Sequence, residues 1–185
     1  MKKKVLFIDK SFTMGGIQTS LLNLLECVSQ DYDIDLFMYY PEGPLKNRVP
    51  TGVKVLEPSW MMESLGMTLR QCMKHGSLKQ KVFRLLATGW TKVFSNEFPI
   101  NIAIRHQKFL GEYDAVVAYH HEVGRKTVTA GFINVALGCA KGKKMISWIH
   151  NDSASYQIKK DEQYNEKWYQ KVDSIVAVSK SVQES

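Results

Sequence analysis

The chain has 185 residues, 44% hydrophobic and 23% charged, with 25 Lys and Arg against 18 Asp and Glu. A chain of that length buries about 70% of its unfolded surface, and the composition excludes a disordered or low-complexity protein. The net charge of +7 admits an anionic partner, nucleic acid or a membrane, and says nothing about fold.

The start is basic, but only Val5-Leu6-Phe7-Ile8 separates Lys4 from Asp9. That is too short for the apolar core of a secretory signal, and no run approaches the roughly 20 residues of a membrane span. Cys27, Cys72 and Cys139 are odd in number and far apart. They fit neither a disulfide scaffold nor a zinc motif, and read as core thiols of a cytoplasmic protein.

Val5–Ile8 is a continuous apolar run ended by Asp9, as expected of a strand buried on both faces. A loop containing Gly15-Gly16 then leads into Ile17, Leu21, Leu24, Leu25 and Val28 at helical spacing. Further strands are expected at Ile34–Tyr39, Val53–Leu56, Ala115–Ala118, Met145–Ile149 and Ser174–Val178. Helices are expected over Pro99–Leu110, closed by Gly111, over Glu122–Leu137, closed by Gly138, and over Asp161–Lys171. This alternation predicts an α/β fold, an open and mostly parallel sheet with helices on both faces. Ser181 and Glu184 have capping-box spacing about one turn before the last residue. So short a helix is not stable alone, and the chain is expected to be part of a longer protein.

The charge is local. The segment from Gly66 to Gly111 holds eight basic residues and one acid, Glu97, which accounts for the whole net charge. On a helix through Gly76–Phe94, Leu78, Val82, Leu85, Leu86 and Val93 share one side, widened by Phe83, Trp90 and Phe94. Lys74, Lys81, Arg84 and Lys92 are expected opposite, with Lys79 interrupting the apolar arc. Two placements fit: a helix packed on the sheet with a solvated basic face, or one lying in a membrane interface with Lys81, Arg84, Trp90 and Lys92 at the surface; both can hold if the wide arc splits between core and lipid. No helix-turn-helix, RNP or zinc-finger pattern occurs, so nucleic acid is not the expected partner.

In open parallel sheets ligands bind beyond the carboxyl ends of the strands. Four such ends carry polar residues. Gly15-Gly16 lets the backbone approach a ligand, and the helix that follows offers free N–H groups to a phosphate; a tight turn is the plainer alternative. The G-x-G-x-x-G fingerprint is absent, which argues against a nicotinamide enzyme. Tyr119-His120-His121-Glu122 reads as a polar cleft edge, since adjacent histidines point apart and seldom ligate one metal. His150, Asn151 and Asp152 follow a strand, either lining the same edge or turning the chain with Asp152 or Ser153 as a cap. Ser179 ends the last strand and is most simply a cap.

Gly15-Gly16 after the first strand, Trp148-Ile149-His150-Asn151-Asp152, and Asp173-Ser-Ile-Val-Ala-Val-Ser179 together resemble glycosyltransferase family 4. The likeness is to the N-terminal, acceptor-side domain of a GT-B enzyme of the capsular or cell-surface polysaccharide type, and it spans residues 1–185. It implies a Rossmann-like domain forming half of a GT-B fold, and a retaining transfer of sugar from a UDP- or GDP-sugar to a glycan or lipid-linked hydroxyl. It further implies no metal, no tightly bound cofactor, and a donor-binding second domain carrying a Lys and paired glutamates. Gly15 and Gly16 would approach the donor diphosphate and His150 would be catalytic, with His120, Asp152 and Ser179 as candidates for the acceptor cleft. A cytoplasmic protein peripheral to the inner face of the cell membrane is then expected. The competing expectation is a non-catalytic α/β module recruiting a membrane or protein through its basic helix.

Overall fold

The computed structural model describes residues 2–151 and 161–184. Six strands, β1 (Lys4–Ser11), β2 (Asp33–Tyr40), β3 (Val53–Leu56), β5 (Ala115–Ala118), β7 (Met145–Ile149) and β8 (Ser174–Ala177), make one parallel sheet in the order β3-β2-β1-β5-β7-β8. Two short strands, β4 (Gly111–Tyr113) and β6 (Ala140–Gly142), pair separately. The central register is tight: Phe7 opposes Leu36 on one side and Val117 on the other.

Alternation along these strands feeds two cores, because successive side chains leave a sheet on opposite faces. Phe7, Leu36, Met38, Val117 and Tyr119 pack with Leu21, Leu22 and Leu25 of α1 (Gly16–Val28). Leu6, Ile8, Phe37, Tyr39, Val116 and Ala118 pack on the other face. That face is covered by α2 (Trp60–Gly66), α5 (Glu97–His106) and α6 (Phe132–Cys139), with Trp168 of α7 (Glu162–Tyr169) joining them. Full burial of each large aliphatic side chain contributes about 1.5–3 kcal/mol, so the layers hold one another in place. The result is an open, doubly wound, Rossmann-like sheet.

Gly66 permits one of these contacts. A Cβ there would stand 2.7 Å from the backbone carbon of Tyr39 and 2.7 Å from the Tyr40 nitrogen, so only glycine lets the end of α2 close on β2.

Several local expectations are corrected. Residues 119–131 form a loop, so the helix expected from Glu122 begins only at Phe132. Gly131, with φ 75°, supplies the left-handed turn at its start. Gly138 lies inside α6 rather than closing it; a Cβ there would meet Ile104 at 2.7 Å. The helix before β4 ends at His106, not Leu110. Cys72 and Cys139 are buried as expected, but Cys27 is exposed. At the last helix, α8 (Lys180–Glu184), Ser181 is not the cap: Ser179 Oγ accepts from the Val182 N–H at 3.3 Å.

The largest correction concerns α4 (Leu78–Val93), which follows α3 (Leu69–His75) and packs on α2, α3 and α5. The residues it buries are Gln80, Arg84, Ala87 and Thr91. Its apolar arc faces outward, with Leu78 78%, Leu86 69% and Val93 69% exposed. Phe83, at the edge of the widened arc, packs against the core, but the rest of the arc does not, so packing of the whole arc onto the sheet is overturned. Arg84 is not at the surface: its Nη1 donates to the Leu65 carbonyl at 3.1 Å inside the fold. Lys81 is half-buried, and Trp90 and Lys92 are exposed. No helix among the described residues is long and apolar enough to cross a membrane.

Candidate functional site

The sheet reverses its winding between β1 and β5, and ligand crevices form at such switch points. A cavity of about 480 Å³ opens there, lined by Lys10, Thr13, Gly15–Gln18, His120, His150 and Asn151. Three strand ends supply it: β1 delivers Lys10, β5 leads to His120, and β7 leads to His150 and Asn151. Gly15, Gly16, His120 and His150 are thus brought together as the sequence predicted. Ser179 is exposed and does not line the cavity. Asp152 and Ser153 lie outside the described residues.

Gly15 is the N-cap of α1 in extended geometry, with φ −174°, and no side chain caps that helix. The unpaired N–H groups of the first turn and the positive end of the helix dipole therefore meet the cavity without an internal anion. No atom lies within 4 Å of where a Gly16 Cβ would stand. That space is open to a ligand rather than filled by packing. Lys10 adds a cation, although burial, and then the nearby Arg84, lower its pKa.

The two histidines are neutral hydrogen-bonding groups. His150 Nε2 lies 2.8 Å from the Tyr119 carbonyl, and His120 Nδ1 lies 3.2 Å from the His121 carbonyl. A carbonyl only accepts, so each of these nitrogens carries the proton and the other ring nitrogen is the acceptor. Burial pulls His120 down to about 3, aided by neighbouring His121. Burial also lowers His150, with the Tyr119 bond opposing it. Ring contacts fix both: His120 stacks on Phe132 at 4.7 Å, and His150 lies 4.7 Å from the Tyr119 ring.

Two carboxyls that the sequence placed at strand ends, Asp9 after the first apolar run and Glu122 in the expected cleft edge, are buried and do not line the cavity. Asp9, at the end of β1, accepts from the Lys10 N–H at 2.7 Å and from Gln18 Nε2 at 3.5 Å. Burial pushes it up to about 7. Gln18 also lines the cavity, so Asp9 positions a side chain that a ligand meets. Glu122 accepts from the N–H groups of Gly131 and Ile133, both at 2.8 Å, and caps α6 across the loop. Burial raises it to about 7 as well. The signal for Asp9 was a charge at the end of an otherwise apolar strand. For Glu122 the local signal was the Tyr119–Glu122 polar stretch, but its capping role was not visible, because its partners lie nine and eleven residues on.

The cavity therefore combines a cation and helix N–H groups on one side with neutral imidazole acceptors on the other. This suits a ligand with a phosphate and several hydroxyls. Among the described residues no group of three or more His, Cys, Asp or Glu is placed to hold a metal ion. Compared with protein-family models and with curated proteins, the chain matches none.

Proposed function

We propose that this chain is the acceptor-side domain of a retaining glycosyltransferase that moves a sugar from a nucleotide-sugar to a glycan or lipid-linked hydroxyl. The observation that carries the reading is the meeting of His150 and the uncapped Gly15-Gly16 helix start in one cavity at the switch point. The helix end and Lys10 would neutralise the diphosphate of the donor, whose nucleotide is held by a second domain. His150 would accept a hydrogen bond from a sugar hydroxyl through Nδ1, its Nε2 being committed to Tyr119. His120 and Asn151 border the space where an acceptor hydroxyl would enter.

The test is transfer from UDP- and GDP-sugars by the protein containing this domain and its donor domain. His150→Ala is expected to lower turnover by about 100-fold or more, as loss of one preorganised polar group does, with the thermal melt retained. Wild-type turnover in that variant refutes the role of His150.

A second reading, a non-catalytic module that recruits a partner through α4, draws support from the outward apolar face of that helix. Sugar transfer that survives neither His150→Ala nor removal of donor, yet persists after α4 is altered, favours the enzyme.

A further inference from the structure

We propose that the outward face of α4, together with the start of α5, docks on an anionic membrane surface. The helix is inverted: its polar stripe of Gln80, Arg84 and Thr91 points into the fold, and its apolar arc points out. Inward polar groups are held by specific bonds, Gln80 Nε2 donating to Glu63 at 2.8 Å and Arg84 to the Leu65 carbonyl. The helix is thus anchored in this orientation, and rotation to bury the arc would break both bonds.

Outside, Trp90 stacks with Phe94 and Phe98 at ring separations of 4.5 and 4.7 Å, and all three rings are at least 40% exposed. Between α4 and α5 runs a groove of about 490 Å³ lined only by apolar residues, Leu86, Trp90, Phe98 and Ile102 among them. Hydrocarbon rather than water suits such a lining.

Charge selects the occupant. At 100° per residue Lys81 and Lys92 border one edge of the arc, beside Leu85, rather than standing opposite it as expected, and α4 holds no acidic residue. The single acid between Gly66 and Gly111, Glu97, is paired with Lys167. A second copy of the face would bring cations against cations. An anionic bilayer offers negative headgroups for the lysines and hydrocarbon for the arc, with Trp90 at the boundary where indoles are favoured.

The face is also coupled to the cavity. Lys126 Nζ donates to the carbonyls of Lys92, Val93 and Phe94 at 3.0, 2.8 and 2.9 Å. It thereby ties the end of α4 to the loop that begins beside His120. Docking through α4 sets that loop close to the lipid plane, where a lipid-linked ligand would arrive. The docking itself does not depend on sugar transfer, so failure of one leaves the other standing.

Co-sedimentation of the 185-residue chain with phosphatidylcholine vesicles, with and without phosphatidylglycerol, tests this. Binding to the phosphatidylglycerol vesicles is expected to be at least about tenfold tighter, each surface lysine contributing about fivefold. Lys81→Glu with Lys92→Glu should abolish that preference, and Leu86→Ser with Phe98→Ser should remove binding to both vesicles. All four side chains are at least partly exposed, and unchanged circular-dichroism melts would confirm that the variants fold. Equal binding to neutral and anionic vesicles, indifferent to the lysine changes, overturns the proposal. So does absence of vesicle binding, whether the chain stays monomeric or self-associates through this face in sedimentation velocity.

Discussion

His150 Nε2 donates to the Tyr119 carbonyl across 2.8 Å, joining the residue after β7 to the residue after β5. The bond fixes the tautomer, and burial of the ring holds its pKa below the ordinary value of 6.5. The expected outcome is a ring more than half neutral at pH 6.5, protonated at Nε2 and not Nδ1. Nitrogen-15 spectra of the labelled imidazole, recorded through a pH titration, check both points. A midpoint at or above 6.5, or a proton on Nδ1, contradicts the geometry.

Gly16 separates ligand binding from folding. Its Cβ position is empty and borders the cavity, and its backbone is already helical. Gly16→Leu is therefore expected to leave unfolding free energy unchanged or raised by up to about 1 kcal/mol, the helix-propensity gain over glycine. The added side chain would occupy the approach to the α1 N–H groups, so pyrophosphate binding measured by calorimetry should weaken about tenfold or more. Retained pyrophosphate affinity would remove the helix start from the site.

The centre of the sheet was legible in the sequence because β1, β2 and β5 are buried on both faces, and such strands read as apolar runs. The exposed edge strands β3 and β8 were read from their β-branched residues. Val53–Leu56, Ala115–Ala118 and Met145–Ile149 have the boundaries their composition predicts. The loop 119–131 was not legible: apolar residues at helical spacing there serve packing, while Glu122 spends its carboxylate on a helix that starts at Phe132. α4 was legible as a helix but not in its facing. Hydrophobic periodicity finds an apolar arc and cannot say whether protein or something else covers it. Arg84 was misplaced for the same reason, since the pattern does not reveal the Leu65 carbonyl that receives it. At the site, the glycines and His150 were found from local sequence, whereas Lys10 and Gln18 needed the fold to bring them to the cavity.

Glu122 is a test of that long-range cap. Its two oxygens accept one N–H each, from Gly131 and Ile133. Glu122→Gln has nearly the same shape but turns an amide NH2 toward one of those donors, leaving a buried N–H unpaired. A loss of about 1–3 kcal/mol in unfolding free energy is expected, measured by urea denaturation. A loss under 0.5 kcal/mol, an order-of-magnitude limit for a surface change, would mean that the cap contributes little.

The buried titratable groups give the domain a defined pH response. Asp9 and Glu122 are raised to about 7 by burial, from ordinary values near 4. Each favours the native state while protonated, so that stability is full in acid and lost as pH rises through 7. His120 and His121 are lowered by burial to about 3 and about 4. Their stability is full above their ordinary value of about 6.5 and is lost as pH falls through the native values. Between about pH 4.5 and 6.5 these two losses and two gains cancel, each near 1.4 kcal/mol per pH unit, so only the lowered His150 tilts the curve, upward toward pH 6.5. Above about pH 6.5 only the carboxyls still titrate, and stability should fall by about 1–2 kcal/mol by pH 8. Asp9→Asn should remove about half of that fall, and it should also turn the region between about pH 4.5 and 6.5 into a rise of about 1.4 kcal/mol per pH unit, because asparagine does not titrate and one of the two losses is gone. Urea denaturation from pH 4 to 8 checks the shape. A steady rise in stability from pH 5 to 8 would show that the carboxyls are ionised in the native protein and that their hydrogen bonds outweigh burial.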